Sequence, residues 1–113
     1  MKRTNKKLIG LSLLCWTIAI MANAQHEAYR ANSYISKEGD SLHYRQLSPL
    51  QIEKGEKYPL VLFLHGAGER GSNNQSQLTH GGGMFSNPVN RERYPAFVLF
   101  PQCPAELYWP SPT

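Results

Sequence analysis

The stretch Leu62 to Ser72, LFLHGAGERGS, places three glycines, Gly66, Gly68 and Gly71, in G-x-G-x-x-G spacing directly behind an apolar run. Leu60-Val61-Leu62-Phe63-Leu64 is five apolar residues without alternation, bracketed by Pro59 and Gly66. So short a run between such residues reads as a strand rather than a helix. The lack of a polar side predicts cover on both faces, as in a parallel sheet under helices. The loop behind it is then a set of backbone N–H groups held at a strand end.

A dinucleotide loop needs a helix opening at its last glycine and an acid about 20 residues on, at the end of the next strand. Here Ser72-Asn73-Asn74-Gln75-Ser76 follows, a poor helix start, and the next strand ends in Pro101-Gln102. Glu69 would place a carboxylate inside the phosphate loop. The spacing from Gly66 to Gly71 also suits a G-x-x-x-x-G-K-[ST] phosphate loop, but Ser72 stands where the lysine belongs. His-Gly-small-Gly behind a buried strand fits another use. Attack on an acyl carbon makes its oxygen negative, and fixed N–H donors must already face it. Glycines let the backbone approach closely, and a bulky residue at Ala67 would crowd the site.

The rest of the chain gives this loop its setting. Lys2, Arg3, Lys6 and Lys7 precede an apolar run from Leu8 to Met21, and Ala22-Asn23-Ala24 is an A-x-A site. Residues 1–24 therefore read as a signal peptide, cleaved between Ala24 and Gln25, with export to the periplasm or beyond. The run is short of the ~20 apolar residues of a spanning helix. Leu13-Leu14 before Cys15 do not make a lipobox. Four of the 12 basic residues lie in this leader, leaving eight against eight acids in residues 25–113. The net charge of +4 is thus a property of the leader. It points to neither nucleic acid nor an anionic membrane surface. Past the leader Cys103 is the single cysteine, so no intrachain disulfide forms there. The four histidines, His26, His43, His65 and His80, are scattered, and no metal-ligand spacing occurs.

Ala31 to Ser36 and Ser41 to Leu47 read as an antiparallel hairpin around the turn Lys37-Glu38-Gly39-Asp40, and Ser48 to Lys57 as a surface loop. Ala96 to Phe100 is a second apolar strand, stopped by Pro101. Between the apolar strands, Ser76 to Phe85 has room for a helical turn, and Gly81-Gly82-Gly83 argues against a long helix. Strand, crossover, strand implies parallel pairing and an α/β fold. The sequence stops at Thr113 soon after the second apolar strand, which suggests that it is truncated.

Tyr58 to Leu78, YPLVLFLHGAGERGSNNQSQL, together with Phe97 to Trp109, FVLFPQCPAELYW, resembles the secreted esterases and predicted peptidases of the α/β-hydrolase superfamily. These are relatives of polyhydroxybutyrate depolymerases and of the prolyl oligopeptidase catalytic domain. HG-x-G alone is moderately specific; HGAGERG followed by PQCP at this spacing is more so. The resemblance implies the N-terminal part of an α/β-hydrolase fold, a hairpin leading into a parallel sheet, incomplete in this chain. It implies a serine hydrolase cleaving an ester, in preference to a peptide bond, through an acyl-enzyme. The substrate would be a small ester or peptide, with no cofactor, no nucleic acid and, after leader cleavage, no membrane partner. The backbone N–H of Ala67, with Gly68 as the alternative, would serve the oxyanion hole. His65 and Gly66 would shape the loop, and Glu69, Arg70 and Trp109 would face substrate. Glu69 and Arg70 also have a plain reading as a local surface pair, Trp109 as a cover for the core, and Cys103 as a packed thiol. Such enzymes carry serine on a G-x-S-x-G elbow, followed by an acid and a histidine. No G-x-S-x-G occurs here, so nucleophile, acid and base would lie downstream. The alternative is a non-catalytic exported binding module, for instance for carbohydrate, that keeps the fold without the chemistry.

Overall fold

The computed structural model describes residues 27–110. The leader and its cleavage site, and Ser111 to Thr113, lie outside the described residues. Four strands form one mixed sheet: β1 (Arg30–Ile35), β2 (Ser41–Leu47), β3 (Leu60–Leu62) and β4 (Phe97–Pro101), in the order β1-β2-β4-β3. β1 and β2 are the expected antiparallel hairpin, with Ala31 opposite Arg45 and Ile35 opposite Ser41. Gly39 takes φ 95° in its turn, and the Ser36 hydroxyl accepts the amides of Glu38 and Asp40. β4 inserts between the hairpin and β3, antiparallel to β2 and parallel to β3.

The β3–β4 ladder is shorter than the apolar run predicts, and Pro101 explains why. The amide of Phe97 donates to Pro59 O, and that of Phe63 to Leu99 O, both at 2.9 Å. The next rung in this register needs an N–H from Pro101, which has none. Leu64 therefore lies beyond the ladder.

Two short helices and two 3-10 turns fill the crossover. The 3-10 turns are Ala67–Glu69 and Ser76–Leu78; the helices are α1 (Gly82–Ser86) and α2 (Pro88–Arg93). The glycine triplet does not break α1 but starts it. Gly81 has φ 86°, and a Cβ there would lie 2.9 Å from the Phe63 ring. A Cβ on Gly82 would lie 3.1 Å from the Leu78 Cβ. Small residues let the helix start close to the sheet. α2, which the sequence reading did not assign, has a plain start signal: the Asn87 side chain accepts the Val89 amide at 2.9 Å, and Pro88 opens the helix.

Tyr29, Leu47, Leu78, Val98 and Phe100 form the core, with Val61, Phe63 and Phe85 packed against it. The Phe100 ring meets Tyr29 and Phe85 edge-on, with centroids at 5.4 and 5.8 Å, and Phe63 at 4.7 Å. Tyr29 donates its hydroxyl to Gly82 O at 2.7 Å, tying the entry to β1 onto α1. Burial pushes its phenol above the ordinary tyrosine range, with the Arg91 charge opposing. On the other face of the sheet the described residues supply little cover. Leu60, Leu62 and Leu64 are 66%, 59% and 50% exposed. Within the described residues, the crossover packs on the Val61–Phe63 side alone.

Candidate functional site

The glycine loop leaves the C-terminal end of β3 and doubles back along the residues that follow β4. His65, buried beneath it, uses every polar atom of its ring. Nδ1–H donates to Gly66 O at 2.6 Å, and Nε2 accepts the Cys103 amide at 2.9 Å. These partners select the Nδ1–H tautomer. With both nitrogens occupied, the ring is a strut between the two strand ends and has no free position for proton transfer. Its carbonyl accepts the Trp109 indole N–H at 3.0 Å, and the two rings meet edge-on at 5.2 Å.

Gly66 is extended, with φ −78° and ψ 179°, and caps the single 3-10 turn Ala67–Glu69. The first amides of a helical turn have no partner inside it. Among the described residues those of Ala67 and Gly68 make no hydrogen bond, and both positions are exposed. A Cβ on Gly66 would lie 3.2 Å from a Glu69 carboxylate oxygen, whereas one on Gly68 would meet nothing within 4 Å. Nothing within the described residues requires glycine at 68. Gly71, at φ 147°, closes the loop by donating its amide to Cys103 O at 2.9 Å.

Glu69 and Arg70 do not pair with each other. Glu69 meets His80 at 3.3 Å, a surface contact worth about 0–1 kcal/mol. Arg70 donates Nε–H to Ala67 O at 2.9 Å and a terminal N–H to Leu107 O at 3.1 Å. Its guanidinium lies over the Tyr108 ring, 4.2 Å from the centroid. Arg70 thus bridges the glycine loop to the segment after β4. Gly66, Ala67, Arg70, Cys103, Tyr108 and Trp109 line a cleft of about 200 Å³. Cys103 is a buried free thiol in its floor. The structure therefore gathers Gly66, Ala67, Arg70 and Trp109 around one concavity, with His65 buried behind it against Cys103 and Trp109, and turns the Glu69 carboxylate toward His80.

A larger apolar groove, about 590 Å³, lies at the opposite ends of the parallel strands, against Pro59, Ala96, Met84 and Tyr94. It is remote from the glycine loop. Among the described residues no group of three or more His, Cys, Asp or Glu side chains could hold a metal ion, and no helix is long and apolar enough to cross a membrane.

Sequence reading missed a cluster of side-chain amides under the loop: Asn73, Asn74, Gln77 and Gln102. Asn74 is the one described non-glycine residue with positive φ, 51°. Its amide donates to Gln102 Oε1 at 2.7 Å, and its carbonyl accepts Arg45 Nε–H at 2.6 Å. Its side chain donates toward Asn32 O and Tyr44 O in the hairpin. These partners lie 28 to 42 residues away along the chain, too far for a local pattern to announce.

No family model matches the sequence, and no curated protein matches it significantly. Among solved structures the chain is similar to a thermostable esterase, at 37% identity with a TM-score of 0.71. The match covers 76% of this chain and 24% of the esterase, so the chain spans about a quarter of that protein's length. The four-stranded mixed sheet with its short helices is an esterase-like α/β arrangement, on a hydrolase-type scaffold.

Proposed function

We propose that this chain supplies the oxyanion loop of an exported serine hydrolase that cleaves an ester, in preference to a peptide bond, through an acyl-enzyme. One observation carries the reading. Ala67 and Gly68 are exposed residues at the C-terminal end of a parallel strand, their amides have no partner among the described residues, and Ala67 lines a cleft. The likeness to a thermostable esterase supports it. In this mechanism a serine attacks the substrate carbonyl, and the oxygen gains negative charge as the tetrahedral centre forms. A preorganised N–H from Ala67, or from Gly68, stabilises that charge without reorganising. His65, spent on Gly66 and Cys103, acts as a strut and not as the base. Arg70 and Trp109 border substrate, with Glu69 at the margin. Nucleophile, acid and base come from residues beyond this chain, and the chemistry needs no cofactor. Residues 1–24 direct export, and residues 25–113 form the N-terminal portion of an α/β-hydrolase domain.

The test is catalytic and covalent. The full gene product should hydrolyse p-nitrophenyl esters and be labelled by a fluorophosphonate on a serine outside residues 1–113. A folded product with neither property would leave the binding-module reading. The secreted protein should begin at Gln25.

A further inference from the structure

Gln102 is 1% exposed and follows β4, where its own amide donates to His43 O at 2.8 Å and fixes it against β2. Its side chain makes three hydrogen bonds, one to the glycine loop at Glu69 and two to Asn73 and Asn74 directly behind it. Oε1 accepts the Asn74 amide at 2.7 Å, and Nε2 donates to Glu69 O and Asn73 Oδ1, each at 3.0 Å. The orientation of this amide is determined. Asn73 Oδ1 also accepts the amides of Gln75 and Ser76 at 3.0 Å, so it is an oxygen facing donors. A flipped Gln102 would set oxygen against two oxygens and NH₂ against an N–H.

The placement of these bonds matters more than their number. Glu69 is the last residue of the 3-10 turn that presents Ala67 and Gly68. Asn74, in its left-handed conformation, is where the loop turns back to the hairpin. Cys103, the next residue, holds His65 through its amide and Gly71 through its carbonyl. Two consecutive residues thus grip the loop at 65, 69, 71, 73 and 74, and the open amides lie between the first two anchors. Arg70 adds only solvent-exposed contacts on the outer side.

We propose that Gln102 is a positioning residue: its buried side-chain amide sets the aim of the Ala67 and Gly68 N–H groups. The proposal rests on reading those groups as oxyanion donors. Such donors act only within about 2.7–3.1 Å of the developing oxyanion, so a small tilt of the turn weakens them in the transition state. Misplacement by about 1 Å costs ~10²-fold in rate. Substrate in its ground state makes less use of the same donors, so KM should move little.

The experiment compares Gln102→Met and Gln102→Glu with wild type in the full gene product. Methionine keeps the volume and removes all three bonds. Glutamate keeps the acceptor for Asn74 and turns the two donated bonds into repulsions. Both variants should lower kcat on p-nitrophenyl esters by ~10- to 100-fold with KM within about threefold, and should weaken a tetrahedral boronic acid inhibitor in parallel. Loss of packing alone would not move kcat and boronate affinity together. In wild type the Asn74 amide proton should exchange slowly with solvent. A folded Gln102→Met enzyme with unchanged kcat and boronate affinity overturns the proposal. If that variant does not fold, unchanged kcat and boronate affinity in Gln102→Glu does so, and so does a rapidly exchanging Asn74 amide. Failure of the underlying reading is distinct: wild type itself would hydrolyse no ester, and the proposal would fall with it.

Discussion

On one side of β3 and β4, Val61, Phe63, Val98 and Phe100 meet Tyr29, Leu78 and Phe85, and four aromatic rings surround or include Phe100. On the other, Leu60 and Leu62 of β3 and Leu64 just past it stand half or more exposed. The two sides are similar in composition and opposite in cover. The difference comes from the crossover: its glycines bring α1 to the Phe63 side, where side chains on Gly81 and Gly82 would crowd Phe63 and Leu78. The closed side therefore holds the described residues together. The open side is a row of leucines on an edge strand, a surface that invites association.

The largest effect that would break this comparison concerns the open side. Residues 25–113 made alone should self-associate, and replacing Leu60, Leu62 and Leu64 together with lysine should suppress it, as read by light scattering. A wild-type piece that stays monomeric and melts cooperatively would show that the leucines need no cover. On the closed side, Phe100→Ala in the full gene product should cost about 3–5 kcal/mol by denaturant unfolding, since it empties the centre of the aromatic cluster. A loss below ~1 kcal/mol would mean that the cluster is not the core. A smaller effect tests why α1 sits where it does. Gly81→Ala adds a methyl at φ 86° against a ring 2.9 Å away and should cost about 1–3 kcal/mol. No loss would mean that the α1 start shifts freely.

The same contrast explains what the sequence made legible. Ser41 to Leu47 marks β2 residue for residue, because the turn at Lys37 to Asp40 and the loop from Ser48 bracket it, although its burial does not alternate along the strand. Leu60 to Leu64 reveals a strand but not its cover: a run without polar residues shows only that both faces are apolar, not what lies against each. Asn87-Pro88 carried a helix start that passed unread beside the glycine triplet. Gly81 and Gly82 look like breakers until Phe63 and Leu78 are seen beside them. At the site, His65 to Gly71 was readable because strand end and glycines are contiguous. Gln102 and Asn74 were not, because a buried amide and a surface amide look alike until their partners, up to 42 residues away, are brought together.

The central claim is that the loop's free amides meet an oxyanion, and Ala67→Pro in the full gene product tests it most directly. Proline removes the Ala67 N–H and little else. Ala67 is the first residue of a 3-10 turn, a place proline accepts, and Gly66 at φ −78°, ψ 179° already has the extended form required before proline. With circular dichroism and Tm confirming the fold, kcat on a p-nitrophenyl ester should fall ~10²- to 10³-fold, about 3–4 kcal/mol of transition-state stabilisation, with KM changing far less. A folded Ala67→Pro enzyme with wild-type kcat would remove Ala67 as the donor, and wild-type kcat in a folded Gly68→Pro enzyme as well would contradict the account.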